Sequence, residues 1–396
     1  MKSDKLIAVH NGALGDFLCA WPALLALARG LGTPGTKPDA EKDGAKPERA
    51  VTQGDEANGA PRLLFAGNMQ RMRWLAPLGY APCPPAMRRA LDGLYGEPEI
   101  PAWPDALAGA ALAWFCLDRA PVVAHPRVVP LPCLMAGPGM SDSVAGARDR
   151  AAEPAMHTCH VTEVLRKHLE RPCPPALPWP PRWDAGWHDT WQTLFGGWKG
   201  ADSRIVVLVP GAGHRAKQWP PRRFAAVAGA LLRAGYNPLY VLGPAELERG
   251  IDQGALMPEG HPERGEIPVV SPADHDELAH LLRRARLVIG NDSGPLHLAA
   301  LHGVPVLALF GPAPAGAWCP HGATLLSSPL ECAPCSATLR ELACGWGHDS
   351  GSAHGEEGRS GTADREGASP CMAAITVQAT LGKTWELLGI SDKEGK

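Results

Sequence analysis

The sequence predicts an α/β protein of two domains, at least one of them a parallel sheet doubly wound by helices. Three observations carry that expectation. An apolar strand through Val288 and Ile289 enters the turn Gly290-Asn291-Asp292-Ser293-Gly294, continues as an apolar helix to Leu301, and returns as a second apolar strand from Val304 to Phe310. That order is a βαβ unit. Strand and helix patterns alternate regularly before it: a strand at Arg204–Val209, a helix at Pro221–Arg233, a strand at Asn237–Leu242 and a helix at Asp274–Arg284. Finally, 396 residues exceed one ordinary core and suit two domains.

The first half reads as α/β but irregular. Leu6–His10 is a short strand, Asn11–Asp16 a Gly-containing turn, and Phe17–Ala28 an apolar helix interrupted by Pro22. Residues 32–61 hold Gly, Pro, Lys, Asp and Glu with almost no large apolar side chain, so they cannot offset their ordering entropy and are expected as a disordered insertion. Strands resume at Arg62–Asn68, Ala110–Leu117 and Val128–Leu134, and His160–Leu169 reads as a helix. The Pro- and Trp-rich run from Arg171 to Trp198 reads as a connection between domains. The expected organisation is residues 1–185, a connection over 186–202, a second domain over 203–374 with a disordered insertion at 345–370, and a terminal helix within 375–396.

Composition narrows the function. The 38 Lys and Arg against 41 Asp and Glu leave a net charge of −3 and no basic field, which argues against nucleic acid as a partner. No apolar run is read as approaching the roughly 20 residues that span a bilayer. Only five residues separate Lys5 from the polar Asn11-Gly12, so no secretory signal is expected and the protein is placed in the cytoplasm. The 11 cysteines then read as reduced thiols. Cys332-x-x-Cys335 has metal-ligand spacing, but the gaps to Cys344 and Cys371 are irregular, so structural metal stands against plain thiols and no metal is assigned.

Three strand-end turns could carry chemistry, because ligands of open α/β sheets bind at the carboxyl ends of strands. In Gly12-Ala13-Leu14-Gly15-Asp16 the glycines admit close backbone approach, and the helix dipole favours the charged form of Asp16. Such a carboxylate can act as a general base or simply cap the helix. Pro210-Gly211-Ala212-Gly213-His214-Arg215-Ala216-Lys217 lacks both the Walker spacing and G-x-G-x-x-G, since Ala occupies 216. A backbone cradle with one cation, Lys217, remains, suited to a phosphate gaining charge. The turn at Asp292, Ser293 and Gly294 opens a helix whose unpaired N–H groups make an anion site, with His297 one turn inside. Asp274-His275-Asp276 is literally D-x-D, but Asp274 followed by Glu277 reads as a capping box.

Taken together, Gly15-Asp16 with Pro22-Ala23-Leu24, Pro210-Gly211-Ala212 through Lys217-x-Trp219-Pro220, and Asn291-Asp292-Ser293-Gly294-Pro295-x-His297 resemble the ADP-heptose:lipopolysaccharide heptosyltransferases, glycosyltransferase family 9. The resemblance implies a GT-B fold: two Rossmann-like domains facing across a cleft, with the C-terminal helix crossing back to the first. It implies inverting transfer of heptose from ADP-heptose to a lipid-linked lipopolysaccharide inner-core acceptor, without a cofactor or essential metal, and contact with the inner face of the cytoplasmic membrane. Asp16 would be the general base and Lys217 would stabilise the leaving diphosphate. Gly15, Gly211, Ala212, Gly213, Asp292, Ser293, Gly294 and His297 would bind substrate, and Glu246 would meet the nucleoside ribose. The Cys332, Cys335, Cys344 and Cys371 pattern also looks like one found in the family. The loop before Lys217 departs from many members in lacking hydroxyl side chains, and Cys19 stands where many have a polar residue. Alternatives are a GT-B enzyme with another donor or acceptor, a NAD-dependent oxidoreductase, whose G-x-G-x-x-G neither half carries, and a non-catalytic nucleotide-sugar binder. Oligomeric state is not fixed by the sequence.

Overall fold

The computed structural model describes residues 3–32, 62–95, 102–116, 125–133, 159–170, 176–258, 267–335 and 367–390. The insertion expected at 32–61 lies, beyond Gly32, outside the described residues, as does 345–366 of the second one. The chain groups into two compact units: Met1–Gly12, Cys19–Asp142 and Val161–Trp187 form the first, and Ala13–Leu18, Ser143–His160 and His188–Lys396 the second.

The first unit holds a five-stranded parallel sheet of β1 (Lys5–His10), β2 (Leu63–Gly67), β3 (Tyr80–Pro82), β4 (Ala110–Cys116) and β5 (Val128–Pro132) in the order β3-β2-β1-β4-β5. β1 is central, pairing Ile7 with Leu64 on one side and Leu112 on the other. The strand order reverses at β1, so its carboxyl end opens at a topological switch point. The helices that belong to this unit are α1 (Leu14–Leu31, from Cys19 onward), α2 (Met72–Leu75), α3 (Pro85–Asp92) and α4 (Val161–Glu170).

α1 corrects one expectation. Its 18 residues carry only Asp16 and Arg29 as charges, and by length and composition it is apolar enough to cross a membrane. The apolar helix expected over Phe17–Ala28 is longer at both ends, because the chain is already helical at Leu14 inside the Gly-containing turn and Pro22 does not break it. In this fold Phe17, Trp21, Leu24 and Leu27 are almost fully buried, so the apolarity serves an interior helix. Polar contacts fix it: Trp21 Nε1 donates to Trp74 O at 3.3 Å, Tyr80 Oη to Leu24 O at 3.0 Å, and Arg29 pairs with Asp184 at 2.9 Å.

The second unit holds a six-stranded parallel sheet of β6 (Ile205–Val209), β7 (Asn237–Val241), β8 (Val269–Val270), β9 (Leu287–Asn291), β10 (Val306–Phe310) and β11 (Thr324–Ser327), in the order β11-β10-β9-β6-β7-β8. Its helices are α5 (Trp187–Phe195), α6 (Pro221–Arg233), α7 (Pro244–Glu248), α8 (His275–Arg283), α9 (Gly294–Leu301), α10 (Ala315–Trp318), α11 (Pro370–Ala373) and α12 (Val377–Leu388). Here the order reverses between β6 and β9, which pair in the register Val207 to Val288 and Val209 to Gly290. The segments leaving their carboxyl ends, 210–219 and 291–294, therefore emerge side by side. Gly290 is required for that approach, since a Cβ there would lie 2.6 Å from Val209 O.

Asp274 caps α8: its Oδ1 accepts from Asp276 N at 2.7 Å and Glu277 N at 2.9 Å, while Glu277 Oε2 accepts from Ala273 N at 2.7 Å. A cap of this kind stabilises a helix by about 1 kcal/mol and absorbs the D-x-D spacing without any metal. α5 interrupts the run that read as pure connection, because Trp191 is fully buried. Its ring meets His302 edge-on at 5.7 Å.

His302 closes α9 by donating from Nδ1 to Gly196 O at 2.5 Å. Burial pushes its pKa down from 6.5 to about 4, and Arg283 and His188 add to the shift. The unfolded chain takes up a proton below pH 6.5 that the folded chain refuses until about 4, so stability is complete above this window and falls as pH drops through it. His302→Asn, which keeps a donor for Gly196 O, is expected to reduce the stability lost between these pH values by ~2–3 kcal/mol in urea titrations. An equally steep acid decline in the variant would show that His302 does not set it.

Candidate functional site

The site of the second unit is built around one asparagine. Asn291, fully buried at the end of β9, accepts from Trp219 N on Oδ1 at 3.0 Å and donates from Nδ2 to Pro210 O at 2.7 Å. It thereby holds both ends of the 210–219 loop. Inside the loop, residues Arg215–Lys217 form a 3-10 turn capped by His214, whose Nδ1 accepts from Ala216 N at 3.1 Å. Burial, then Lys217 and Arg249, keep His214 below the usual histidine range, consistent with a neutral acceptor ring. From behind, the fully buried Ser369 donates its hydroxyl to Ala216 O at 2.7 Å. Trp219 Nε1 and Arg223 Nη1 each donate to Ile375 O at 2.8 Å.

This scaffold brings Lys217 to the β9 end, where its Nζ donates to Asp292 Oδ2 at 2.9 Å. With side chains only 19% and 9% exposed, the pair is shielded from much of the solvent screening that weakens surface ion pairs. His297 Nε2 lies 4.0 Å from Asp292 Oδ1. Burial pushes His297 down to about 4, against the opposing pull of Asp292, with His160 and Lys217 lowering it further. It is therefore neutral near pH 7, and Lys217 is the cation of this group. Burial, helped by Asp292, pushes Cys319 up to about 11, so it remains a thiol. His160 Nε2 donates to Cys319 O at 3.0 Å.

Ser293 is the N-cap of α9, yet its side chain makes no capping bond, and its buried Oγ has no hydrogen-bond partner among the described residues. An orphaned hydroxyl costs about 1–3 kcal/mol, and here it sits at the positive end of a helix beside the Lys217 and Asp292 pair. Such an arrangement suits an oxyanion. Gly294 and Gly15 allow helix starts to approach: a Cβ on Gly294 would lie 2.8 Å from Leu14 Cβ, and one on Gly15 3.3 Å from His297 Cδ2. Asp16 lies in the first turn of α1, its Oδ2 accepting from Ala13 N at 2.8 Å.

The glycine-rich loop is less uniform than its spelling. A Cβ on Gly211 would come within 2.4 Å of the Glu246 carboxyl, whereas one on Gly213 would meet open space. Glu246 Oε2 accepts from Gly243 N at 2.9 Å, and Arg249 donates to the carbonyls of Ala212 and Gly213 at 3.2 and 3.3 Å. The structure thus joins Lys217, Asp292 and His297, and separately Gly211 and Glu246. Of the cysteines, Cys332 is exposed, Cys335 N donates to Pro312 O at 2.9 Å, Cys371 is buried with its Sγ 3.3 Å from Ser369 Oγ, and Cys344 is outside the described residues. Among the described residues no His, Cys, Asp and Glu group of three or more is arranged to hold a metal ion. Sequence reasoning quoted Asn291 without seeing its bridge and passed over Arg249 and Ser369, whose contacts reach across 36 and 153 residues and leave no local pattern.

Residues 185–344 match the family model for glycosyltransferase family 9 (heptosyltransferase). Lipopolysaccharide heptosyltransferase 3 of Escherichia coli is 33% identical over 116 residues, 28% of this chain and 32% of that protein. Lipooligosaccharide heptosyltransferase 2 of Campylobacter jejuni is 30% identical over 139 residues, 33% of this chain and 42% of that protein. The chain thus spans about a third of the length of the curated relatives it matches first. Two solved structures share its fold with a TM-score of 0.50 and 15% identity: a family 9 glycosyl transferase from Veillonella parvula, covering 98% of each chain, and E. coli heptosyltransferase WaaC with ADP, covering 97% of this chain and 99% of that one. The two parallel sheets with their helices are the α/β architecture of the GT-B fold. Residues 185–344, which hold Lys217, Asp292 and the Ser293 cap, are similar to glycosyltransferase family 9.

Proposed function

We propose that the protein is an inverting glycosyltransferase that moves heptose from ADP-heptose to a lipopolysaccharide inner-core acceptor. One observation carries the reading: at the β9 end, Lys217, Asp292 and the unsatisfied Ser293 hydroxyl converge at the N-terminus of α9. Diphosphate departure builds negative charge on oxygen, and a preset cation with oriented helix N–H groups stabilises that charge in the transition state. In this reading Lys217 exchanges Asp292 for the diphosphate, and Asp292 then takes a hydroxyl of the sugar. Glu246, packed on Gly211 beside the loop, faces the ribose, while the Ala212 and Gly213 backbone meets the phosphates.

Asp16 supplies the other requirement. Transfer with inversion needs a base on the sugar face opposite the leaving group. An aspartate in the first turn of α1, one oxygen already fixed by Ala13 N, is suited to take the acceptor proton. His297, neutral and buried against Gly15, shapes the space between base and anion site without adding charge. An inner-core acceptor is lipid-linked, so the enzyme works in the cytoplasm at the inner face of the membrane. That the relatives are named as lipopolysaccharide and lipooligosaccharide heptosyltransferases supports this acceptor class.

The absence of hydroxyl side chains at Gly211-Ala212-Gly213 makes donor identity the first thing to measure. Thermal stabilisation across ADP-heptose, ADP, UDP- and GDP-sugars and NAD is expected to select ADP and ADP-heptose, a ligand at 100 times its Kd adding about 2.7 kcal/mol. Preference for UDP- or GDP-sugars would replace the donor, and a response to NAD alone would overturn the reading. Asp16→Ala is expected to lower kcat by roughly 100-fold or more while still binding ADP-heptose. Turnover at the wild-type rate would remove Asp16 from the chemistry. Lys217→Ala is expected to cost about 100-fold in kcat, and an unchanged rate would contradict its role at the leaving group.

A further inference from the structure

In the first unit, Asn68 at the end of β2 accepts from Gln70 N at 2.9 Å and starts a 3-10 turn, Met69–Arg71, that carries Arg71 inward. Arg71 is only 3% exposed. Its Nη1 lies 3.0 Å from His10 Nδ1, and its Nη2 donates to Gly12 O at 2.5 Å. A guanidinium has only donors, so His10 Nδ1 accepts and carries no proton of its own, and the ring is neutral with its hydrogen on Nε2. The positive charge stays on Arg71. His10 is in turn braced by the Phe115 ring at 5.7 Å.

Gly12 O and Ala13 N–H are the two ends of one peptide group. At one end Arg71 donates to the oxygen, and at the other the N–H donates to Asp16 Oδ2 at 2.8 Å. A cation, an amide and a carboxylate therefore stand in series. The guanidinium draws electron density toward the amide oxygen, which makes the N–H a stronger donor to the carboxylate. It also prevents the peptide plane from turning, and with it the N–H that fixes the Asp16 side chain.

We propose that Arg71 is a positioning residue for Asp16, acting through the Gly12–Ala13 peptide group. The proposal rests on Asp16 being the general base. Catalytic geometry of this kind tolerates displacements of about 0.5 Å, so release of one peptide plane is enough to misaim the carboxylate. Arg71 would then affect the transfer step and leave donor binding intact, unlike a residue that merely supports the fold.

The test compares Arg71→Met and Arg71→Lys in wild-type and Asp16→Asn backgrounds, following kcat, donor KM and the Ala13 amide resonance. Labelling glycine carbonyls and alanine nitrogens picks out Gly–Ala peptide groups. Arg71→Met is expected to lower kcat about 10-fold or more, leave donor KM within about twofold, and move the Ala13 amide proton upfield. In the Asp16→Asn background the same change is expected to cost less than about twofold, because the group it positions is already gone. Arg71→Lys, which retains a cation, is expected to recover part of the rate, and it carries the test should the methionine variant not fold. An unmoved Ala13 amide, or an equal loss of kcat in both backgrounds, overturns the proposal. Wild-type turnover in Asp16→Asn would instead remove the base assignment, and the Ala13 amide would still decide whether Arg71 holds that carboxylate.

Discussion

The second unit depends on the side-chain amide of Asn291. A parallel sheet brings β6 and β9 together but says nothing about the path of the ten residues after β6. Asn291 sets that path by giving its oxygen to Trp219 N and its hydrogens to Pro210 O. An aspartate could not donate to Pro210 O, and a hydrophobic residue could satisfy neither group. Each buried polar group left unpaired would cost about 1–3 kcal/mol. The next residue on the same strand end is Asp292, so the clamp on the loop and the partner of Lys217 are placed by one turn of backbone. Their spacing is inherited from strand register and needs no flexible segment to find it.

Charge in the site is economical. His297, His214 and His160 are all pushed toward their neutral forms, chiefly by burial, leaving Lys217 and Asp292 as the ionised pair. Neutral rings fill space and hydrogen-bond without adding positive charge that would compete with the lysine. In the proposed reading an entering diphosphate would offset the loss of Asp292 as the lysine's partner and give the Ser293 hydroxyl a partner. A hydrogen bond from that hydroxyl to a bound oxyanion would recover the cost of leaving it unpaired and so add to the drive for binding.

Much of this architecture was legible because long apolar runs with turn residues at their ends are hard to read otherwise. β6, β9 and β10 and the helices between them follow from such runs, and Asp274 with Glu277 disclosed a cap in place of a metal motif. The edge strands β3, β8 and β11 were not legible, being two to four residues long with mixed burial. α5 was hidden by the prolines and tryptophans around it. At the site, the residue types at 16, 217 and 292 suggested chemistry, but what aims them did not. Asn291, Ser369 and Arg71 act through backbone atoms distant in sequence, and an acceptor carbonyl has no signature in the residue that owns it.

The bond from Ser369 to Ala216 O spans 153 residues. During synthesis the β6 strand and its loop emerge long before the segment that completes them. At ordinary elongation rates of about 5–20 residues per second, that interval is roughly 10–30 s. Through it the lysine turn lacks its rear support, and the Trp219 and Arg223 donors lack the Ile375 carbonyl. The nascent second unit therefore has its sheet before the Lys217 turn is held from behind, and that turn is first held firmly only once α11 has packed behind the loop.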